Sequence, residues 1–573
     1  MQRVKGLFRI KKSTKIIAAV LTAVVVIGAG VGLWWKFSTK AKQIQAGVIS
    51  DEQIKKNLDS KLIRTRQNKQ KVAVKKYQAV AADNRYTLTN PYVKVDPYGR
   101  SPLAALAIFQ TPEASKISLT VVGKTKKTSI STTDKTYSKQ HTISILGLYA
   151  DYNNTVKITA TTKSGEKTTK TLHIKTAVLP SNLASVKVNV KTATKTKMAI
   201  GDNKLTFVVR TTKQPFAIDA DGAIRWFSTD YSQHVFKQLA NGHILRLAKK
   251  NNDALIYNEM LEEDYTGRVY KEYHFGTSAA DKNMDTDAEY TLIHHEAIEL
   301  PNHNILATVS DGTSGGKTKN QYVEDTIVEI SHKTGQIVKV IDLKKILPTS
   351  MYTAKTLMHG KGKDWFHMNS LYYQKSTGDL VISGRHQDMV FKMNYKTLDF
   401  KWIYCGKKKS TWPKSLQKYV LTPTGNTGYT GGQHAAILLP NTTKKTDVLA
   451  LFNNNVAITN GQKSTSKQYS EAAVYKINLK QKKITKAWQN GKDQGKSHFS
   501  QVICSNRLMT NGNFLIDYGY LQEGKVSNIQ EVTKSGQRVF SVYFSNLGNN
   551  GYVYRAERFS LYPNNSRDSQ TYE

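Results

Sequence analysis

The sequence predicts an all-β protein whose main part is a six-bladed β-propeller. Three observations predict it: two hairpin types alternate along most of the chain, short alternating strands precede them, and 39% of the residues are hydrophobic. A chain of 573 residues with this content can fill large cores, which excludes a wholly disordered protein.

The hairpin repeat begins after about residue 183. One hairpin type is a turn followed by an apolar strand, and its copies begin at Gly201, Ala240, Pro301, Thr377, Pro440 and Thr510. The other type is strand, turn, strand, and its copies begin at or near Phe216, Tyr265, Ile327, Val390, Val474 and Ile529. Such alternation makes four-stranded units that bury both faces only if they close into a ring, and strict alternation disfavours two stacked sandwiches. We assign the predicted propeller to residues 185–573.

Two smaller regions precede the propeller. Residues 85–180 alternate Thr, Val and Ile with turn residues such as Ser164-Gly165, which predicts a small β-sandwich. Residues 41–84 are rich in Gln, Lys, Ala and Arg with sparse apolar positions, which predicts a helical stalk.

The N-terminus predicts membrane attachment. Residues 16–35 are long and apolar enough to span a bilayer as a signal-anchor, and Trp34 and Trp35 suit the interface. Residues 1–15 are basic and would stay in the cytoplasm. A cleaved signal peptide is the alternative, but its apolar core would be about 7–15 residues long with a small-residue cleavage site. We therefore expect a single-pass protein of the cell membrane with its catalytic domain outside.

The charge is strongly positive: 84 Lys and Arg face 43 Asp and Glu, a formal net charge of +41. Such a charge needs an anionic counterpart. The basic residues are scattered and form no DNA-binding motif, so we expect no nucleic-acid partner. A basic surface against anionic lipid or wall polymer is the simpler interpretation.

Several of the 14 histidines share a register. His234, His295 and His434 lie at the same distance before a repeat turn, and His367 occupies a similar place in another unit. Equivalent positions in a propeller surround one channel, so these imidazoles are expected to converge. Arg385 follows His367 in the sequence. A guanidinium binds anionic oxygens, so its presence beside neutral imidazoles suits nucleophilic attack on a sulfuryl or phosphoryl group.

A metal site is the alternative for the same histidines. The chain lacks the H-E-x-x-H spacing of zincins, but Glu296 and Asp364 lie next to His295 and His367, so copper or zinc ligation stays open.

Specific motifs add a family resemblance. They are Asp364-Trp-Phe-His-Met-Asn-Ser-Leu-Tyr-Tyr, Ile382-Ser-Gly-Arg-His-Gln-Asp, Gly432-Gln-His, Tyr554-Arg-Ala-Glu-Arg and, in the sandwich, Asp96-Pro-Tyr-Gly-Arg-Ser-Pro-Leu. From about Tyr86 to Tyr562 the chain resembles the PAPS-independent arylsulfate sulfotransferases. The resemblance implies a six-bladed propeller, a capping sandwich and ping-pong transfer from a phenolic sulfate donor to a phenol acceptor. It implies a sulfohistidine intermediate, no cofactor and no metal, and the family includes homodimers.

The resemblance also implies roles for eight residues. His434 is the expected nucleophile, His367, Asn369 and Arg385 would bind the sulfuryl oxygens, and the His294-His295 pair would supply a donor or acid–base group. The shared register favours His295, and Ser500 and Tyr554 are further substrate-binding candidates. If His434 titrates in its ordinary range, activity should rise between about pH 5 and pH 8.

Two features depart from the family. Cys405 and Cys504 are far apart, so the short-range disulfide expected of periplasmic members is absent, and the chain carries its own predicted anchor. Two other functions stay open: a surface module that binds anionic polymer, and a propeller oxidoreductase with a quinone or copper.

Overall fold

The structure is a computed structural model that describes residues 48–254, 257–276, 292–312, 324–353, 357–359 and 362–563. The predicted basic tail and signal-anchor helix lie outside these residues. Within the described part, no helix is long and apolar enough to cross a membrane.

The segment predicted as a stalk is a helix, a strand and a helix packed against the body: α1 (Asp51–Leu58), β1 (Ser60–Ile63) and α2 (Thr65–Ala82). Strand β1 pairs antiparallel with β15 (Val269–Phe275). The Glu272 carboxylate accepts the first N–H groups of α2, from Arg66 at 2.8 Å and Gln67 at 3.0 Å. These bonds satisfy donors that a helix start leaves unpaired. The segment predicted as a helical stalk therefore packs against the propeller and does not extend away from it.

A small β domain follows. Its strands are β2 (Tyr92–Val95), β3 (Ala104–Val121), β4 (Ile130–Thr133), β5 (Ser138–Leu146), β6 (Asn153–Thr162) and β7 (Lys167–Lys175). The long β3 pairs with β2 and β5 along its first half and with β4 and β6 along its second, with a register shift between Gln110 and Ser115. Buried and exposed residues alternate in β6, as expected of a sheet with one solvated face.

Six sheets of four or five strands form the rest of the described chain. The first sheet contains β12 (Phe236–Gln238), β13 (Ile244–Ala248), β14 (Glu259–Glu263) and β15. The second contains β16 (Ile293–Glu299), β17 (Ile305–Val309), β18 (Thr326–Ile330) and β19 (Ile337–Asp342). The third contains β22 (Met368–Gln374), β23 (Asp379–Gly384), β24 (Met389–Asn394) and β25 (Phe400–Cys405). The next two contain β26 (Thr422–Thr424), β27 (His434–Leu438), β28 (Thr446–Asn453), β29 (Glu471–Asn478) and β30 (Lys483–Asn490); and β8 (Lys187–Ala193), β31 (Ser505–Leu508), β32 (Phe514–Leu521), β33 (Val526–Val532) and β34 (Arg538–Ser545).

The sixth sheet closes the ring. It joins β9 (Lys204–Arg210), β10 (Phe216–Ile218) and β11 (Ile224–Phe227) to β35 (Val553–Ser560), which comes from the other end of the chain. Strands β9, β13 and β17 are buried at every residue, because neighbouring sheets cover both of their faces. The protein is therefore mostly β, with a β-propeller-like fold. Shorter elements connect the sheets: β20 (Leu357–His359), β21 (Gly362–Asp364), α3 (Ser181–Ala184), α4 (Thr349–Thr353) and α5 (Lys414–Gln417).

The first strands of successive sheets line the centre, since β16 contacts β22, β22 contacts β27, β27 contacts β31 and β31 contacts β35. Near the start of four of them the pairing register shifts: after His294 in β16, Met368 in β22, His434 in β27 and Val553 in β35. Such shifts turn side chains away from the regular alternation. All four occur at one end of the channel.

Candidate active site

A row of imidazoles occupies this end of the channel. The rings of His234 and His295 stack with centroids 4.7 Å apart, His367 meets His295 edge-on at 4.7 Å, and His386 stacks on His367 at 4.6 Å. His234, His295 and His367 have φ values of 55°, 39° and 53°. Non-glycine residues rarely adopt this left-handed conformation, so the fold holds these three at a cost in backbone energy.

His367 is positively charged at neutral pH. Its Nδ1 lies 2.5 Å from Asp364 Oδ2 and 2.8 Å from Glu324 Oε2. Burial alone would lower its pKa, but the two carboxylates outweigh burial and raise the pKa of His367 to about 10. The sequence-based picture of neutral imidazoles beside Arg385 is therefore wrong for His367, because those two acids face its ring.

The neighbouring imidazoles are neutral. Burial lowers the pKa of His234 to about 3 and that of His386 to about 4, with the charge of His367 adding to both shifts. Burial also holds the pKa of His295 well below its ordinary value. The Nδ1 atoms of His294 and His295 lie 3.0 Å apart, so one ring donates its proton to the other. The row thus contains one imidazolium among neutral rings.

His434 has a fixed tautomer. Its Nδ1 lies 2.8 Å from Asn454 Oδ1. The Asn454 Nδ2 donates to the carbonyls of Ser500 at 2.8 Å and Ile503 at 3.0 Å, which fixes the amide orientation. Because Oδ1 can only accept, Nδ1 of His434 carries the proton and Nε2 keeps its lone pair.

The environment also keeps His434 unprotonated. Burial, and then the charges of Arg385 and His367, hold the pKa of His434 well below its ordinary value. The expected rise in activity between about pH 5 and pH 8 is corrected accordingly, because the lowered pKa moves the titration of His434 to lower pH than that of an ordinary imidazole.

A small cavity of about 10 Å³ lies beside His434. Its lining residues are Asn369, His434, Ala435, Cys504, Ser505, Arg507, Tyr554 and Arg555. Asn369 Nδ2 donates to the carbonyl of Gln433 at 2.7 Å, which anchors the residue before His434, while Asn369 Oδ1 has no partner in the described part of the chain. The ring of Tyr554 lies 4.3 Å from that of His234 and joins the cavity to the imidazole row.

Arg385 is held at the edge of the row. Its Nη1 lies 2.9 Å from His386 Nε2 and its Nη2 donates to the carbonyl of Gln501 at 3.4 Å. The Nε of Arg385 has no partner among the described residues. A guanidinium with a spare donor can hold an anionic oxygen.

The structure groups most of the residues that the sequence singled out. His294, His295 and His367 lie in the imidazole row, Arg385 flanks it, and Asn369, His434 and Tyr554 line the adjoining cavity. Ser500 does not line that cavity: its Oγ accepts from Cys504 Sγ at 3.0 Å and from the Tyr520 N–H at 3.2 Å. Ser500 contributes its carbonyl, which orients Asn454.

Sequence reasoning missed Asn454, Glu324 and His386. Asn454 stands in the triplet Asn453-Asn-Asn at the end of β28, and a run of amides after an apolar strand is a signal that could have been used. Glu324 carries no motif. His386 follows Arg385 directly, but it lies outside the histidine register.

Two groups of side chains have donor atoms close enough to hold a metal: His294, His295 and Glu324, and Asp364, His367 and His386. In the second group, His386 Nδ1 already lies 2.6 Å from the carbonyl of Asp364 and its Nε2 faces Arg385. A cation beside a ligand disfavours a metal, so this set fits one poorly. Cys405 and Cys504 are buried free thiols.

Known proteins resemble this chain over most of its length. The family model for "Arylsulfotransferase (ASST)" matches residues 188–555, and that for "Arylsulfotransferase Ig-like domain" matches residues 92–177. Arylsulfate sulfotransferase AssT of Escherichia coli is 23% identical over 77% of this chain and 88% of its own length. AssT of Lelliottia amnigena is 23% identical over 72% of this chain and 81% of its own.

Proposed function

This chain belongs to the arylsulfotransferase family, and on that premise we propose that it moves a sulfuryl group from a phenolic sulfate ester to a phenol through a sulfohistidine at His434. The observation that carries the proposal is the Asn454 bond to His434 Nδ1, because it leaves Nε2 as an unprotonated nucleophile inside the channel.

The first half-reaction forms a bond between Nε2 of His434 and sulfur while the bond between sulfur and the phenolic oxygen breaks. The electron pair leaves with the phenolic oxygen, so negative charge grows there, while the sulfuryl oxygens keep their single negative charge. The His367 imidazolium and the Arg385 guanidinium supply preorganised positive charge for these oxygens.

The second half-reaction returns the group to an acceptor phenol. The phenol oxygen attacks sulfur, the bond between sulfur and His434 breaks, and the electron pair returns to Nε2. The phenol proton goes to a neutral imidazole, for which His295 is our candidate because its low pKa leaves it unprotonated.

We also propose that residues 16–35 anchor the protein in the cell membrane with the catalytic part outside. The basic residues before this segment and the pair Trp34-Trp35 at its end support the proposal. Protease treatment of intact cells should degrade the catalytic part, and protection of that part would argue against this orientation.

The test of function is release of 4-nitrophenol from 4-nitrophenyl sulfate with and without added phenol. We expect phenol to speed release and to become sulfated. His434→Asn should abolish both, while His173→Asn, at an exposed position in β7, should behave as the wild type. Release of 4-nitrophenol at a rate independent of added phenol would indicate a sulfatase. Stoichiometric copper in the purified protein would favour the oxidoreductase.

A further inference from the structure

The central strands carry a second set of residues at the other end of the channel. His434 and Tyr554 stand near the starts of β27 and β35, whereas Ile437 and Phe559 lie three and five residues further along the same strands. At about 3.3 Å per residue, the two sets are roughly 10–17 Å apart. The second set lines a cavity of about 400 Å³ that is partly open to solvent. We call it the far-mouth cavity.

A layer of buried charges separates this cavity from the imidazoles. Arg555 lies 3.0 Å from Glu296, Arg507 lies 3.3 Å from Glu557, and Lys237 lies 3.4 Å from Glu296. Lys237 also lies 3.8 Å from Glu557. Three basic side chains therefore face two carboxylates in this layer, and burial lowers the pKa of one of them, Lys237, to about 8.

Asp517, next to this layer, does not supply the missing negative charge. Burial, and then the charge of Glu557, raise the pKa of Asp517 well above its ordinary value, which favours the neutral form of its carboxyl group. Neither of its carboxyl oxygens has a hydrogen-bond partner in the described residues. With Asp517 in its neutral form, the layer holds three basic groups against two carboxylates, and an uncompensated buried charge is costly.

Arg507 lines the far-mouth cavity and has a buried donor without a partner among the described residues. Its Nε donates to Glu557, but its Nη1 is buried and has no partner within the described part of the chain. Arg507 lines both the cavity beside His434 and the far-mouth cavity. Lys237, which is also buried, lines the far-mouth cavity beside it.

The remaining walls of the far-mouth cavity are apolar and aromatic. They include Leu239, Ile298, Leu371, Tyr372, Tyr373 and Phe559. The carboxylate of Glu299, at the rim of this cavity, already has polar partners. It lies 2.6 Å from His303 Nδ1 and accepts the N–H of Ala240 at 2.7 Å. Lys375 stands exposed at the same rim.

We propose that the far-mouth cavity is a second binding site, for an aromatic monoanion whose anionic group lies against Arg507 and Lys237 and whose ring contacts the apolar walls. A single excess charge favours a monoanion, since Glu296 and Glu557 would repel a second negative charge. Arenesulfonates, aryl sulfates and aromatic carboxylates share this chemistry. The site requires no reaction, so it goes beyond the proposed transfer at His434.

The probe is 4-bromobenzenesulfonate, whose sulfur is bonded to carbon and cannot be transferred as a sulfuryl group from oxygen. Anomalous scattering from bromine in soaked crystals locates every bound molecule, and calorimetry counts them. We expect one bromine in the far-mouth cavity with the sulfonate at Arg507. The neutral isostere 4-bromobenzenesulfonamide should bind there at least about tenfold more weakly, because it lacks the charge-assisted hydrogen bond.

Two variants at the rim and His434→Asn complete the test. Ala240→Trp fills the cavity from its rim and should remove the far-mouth molecule, with turnover of 4-nitrophenyl sulfate unchanged. Lys375→Glu, at an exposed position that tolerates substitution, should weaken far-mouth binding several-fold. His434→Asn should retain the far-mouth molecule, so loss of transfer and loss of this site are distinguishable. Bromine found only beside His434, equal binding of the sulfonamide, or wild-type binding by both rim variants would overturn the proposal.

Discussion

His434 and His367 lie in the same channel but differ in charge: His434 is neutral and His367 is positively charged. An amide oxygen faces Nδ1 of His434, whereas two carboxylates face Nδ1 of His367. The His434 ring is buried and the His367 side chain is only 14% exposed, so burial does not explain the difference. The partner at one nitrogen decides whether each imidazole acts as a base or as a cation.

These charge states predict the pH dependence of the first half-reaction, measured as single-turnover release of 4-nitrophenol without acceptor. His434 must be unprotonated, and its lowered pKa favours this form at neutral pH. His367 must be protonated, and its pKa of about 10 means that its charge is lost only as pH rises through that value. We therefore expect a plateau through neutral pH and a fall near pH 10.

Asp364→Asn checks the origin of that fall. Losing one carboxylate lowers the pKa of His367, so the falling limb should move to lower pH while the plateau at its acid side stays. Circular dichroism across the same range controls for unfolding. A limb that stays in place would show that another group titrates there.

Asn454 acts through His434 and is a positioning residue. Asn454→Ala frees His434 Nδ1 and lets the proton move to Nε2, which removes the nucleophile from part of the population. We expect kcat to fall by about 10²-fold or more, in line with the loss of an orienting partner in catalytic dyads and triads. KM for the donor should hardly change, because Asn454 does not line the cavity.

The matched control is Asn478→Ala, which removes an exposed amide near the other end of the same sheet. It should leave both constants unchanged. A rise in KM with constant kcat for Asn454→Ala would instead assign Asn454 to donor binding.

Among the elements, the loop before β27 depends on one carboxylate. Asp388 Oδ1 accepts the N–H of Gly432 at 2.7 Å, and its Oδ2 accepts four successive N–H groups, those of residues 458–461, at 2.7–2.9 Å. These bonds tie the segment Gly432-Gln-His to a loop of the neighbouring hairpin. The position of His434 therefore depends on this connection as well as on its own contacts.

Asp388→Asn should loosen both segments, because an amide replaces an acceptor oxygen with a donor that faces other donors. Hydrogen bonds to charged groups contribute about 1.5–3 kcal/mol each, so we expect local opening to become at least about 2 kcal/mol easier. Hydrogen exchange at residues 458–461 measures this change. Asp399→Asn, at an exposed turn, should alter exchange little, and equal protection in both variants would refute the role of Asp388.

Across the whole molecule, the sequence predicted the features that recur in every sheet. It did not predict the features that depend on a contact made only once in the structure. The alternating hairpins of the sequence correspond to six sheets in the structure. The shared register of His234, His295 and His434 corresponds to one end of the channel, because equivalent strands face a common axis. The clamp at Glu272 was not predictable from a helical composition, since it arises from one side chain of a distant strand. Glu324 likewise meets His367 only once the ring has formed.

The central claim is that one imidazole, supported by groups from several sheets, carries the sulfuryl group. The most direct measurement is mass spectrometry of the protein after rapid mixing with 4-nitrophenyl sulfate in the absence of phenol. We predict that the peptide containing His434 gains the mass of one sulfuryl group and loses it when phenol is added. No gain on any peptide during a burst of 4-nitrophenol, or a gain at another residue that persists in His434→Asn, would contradict the account.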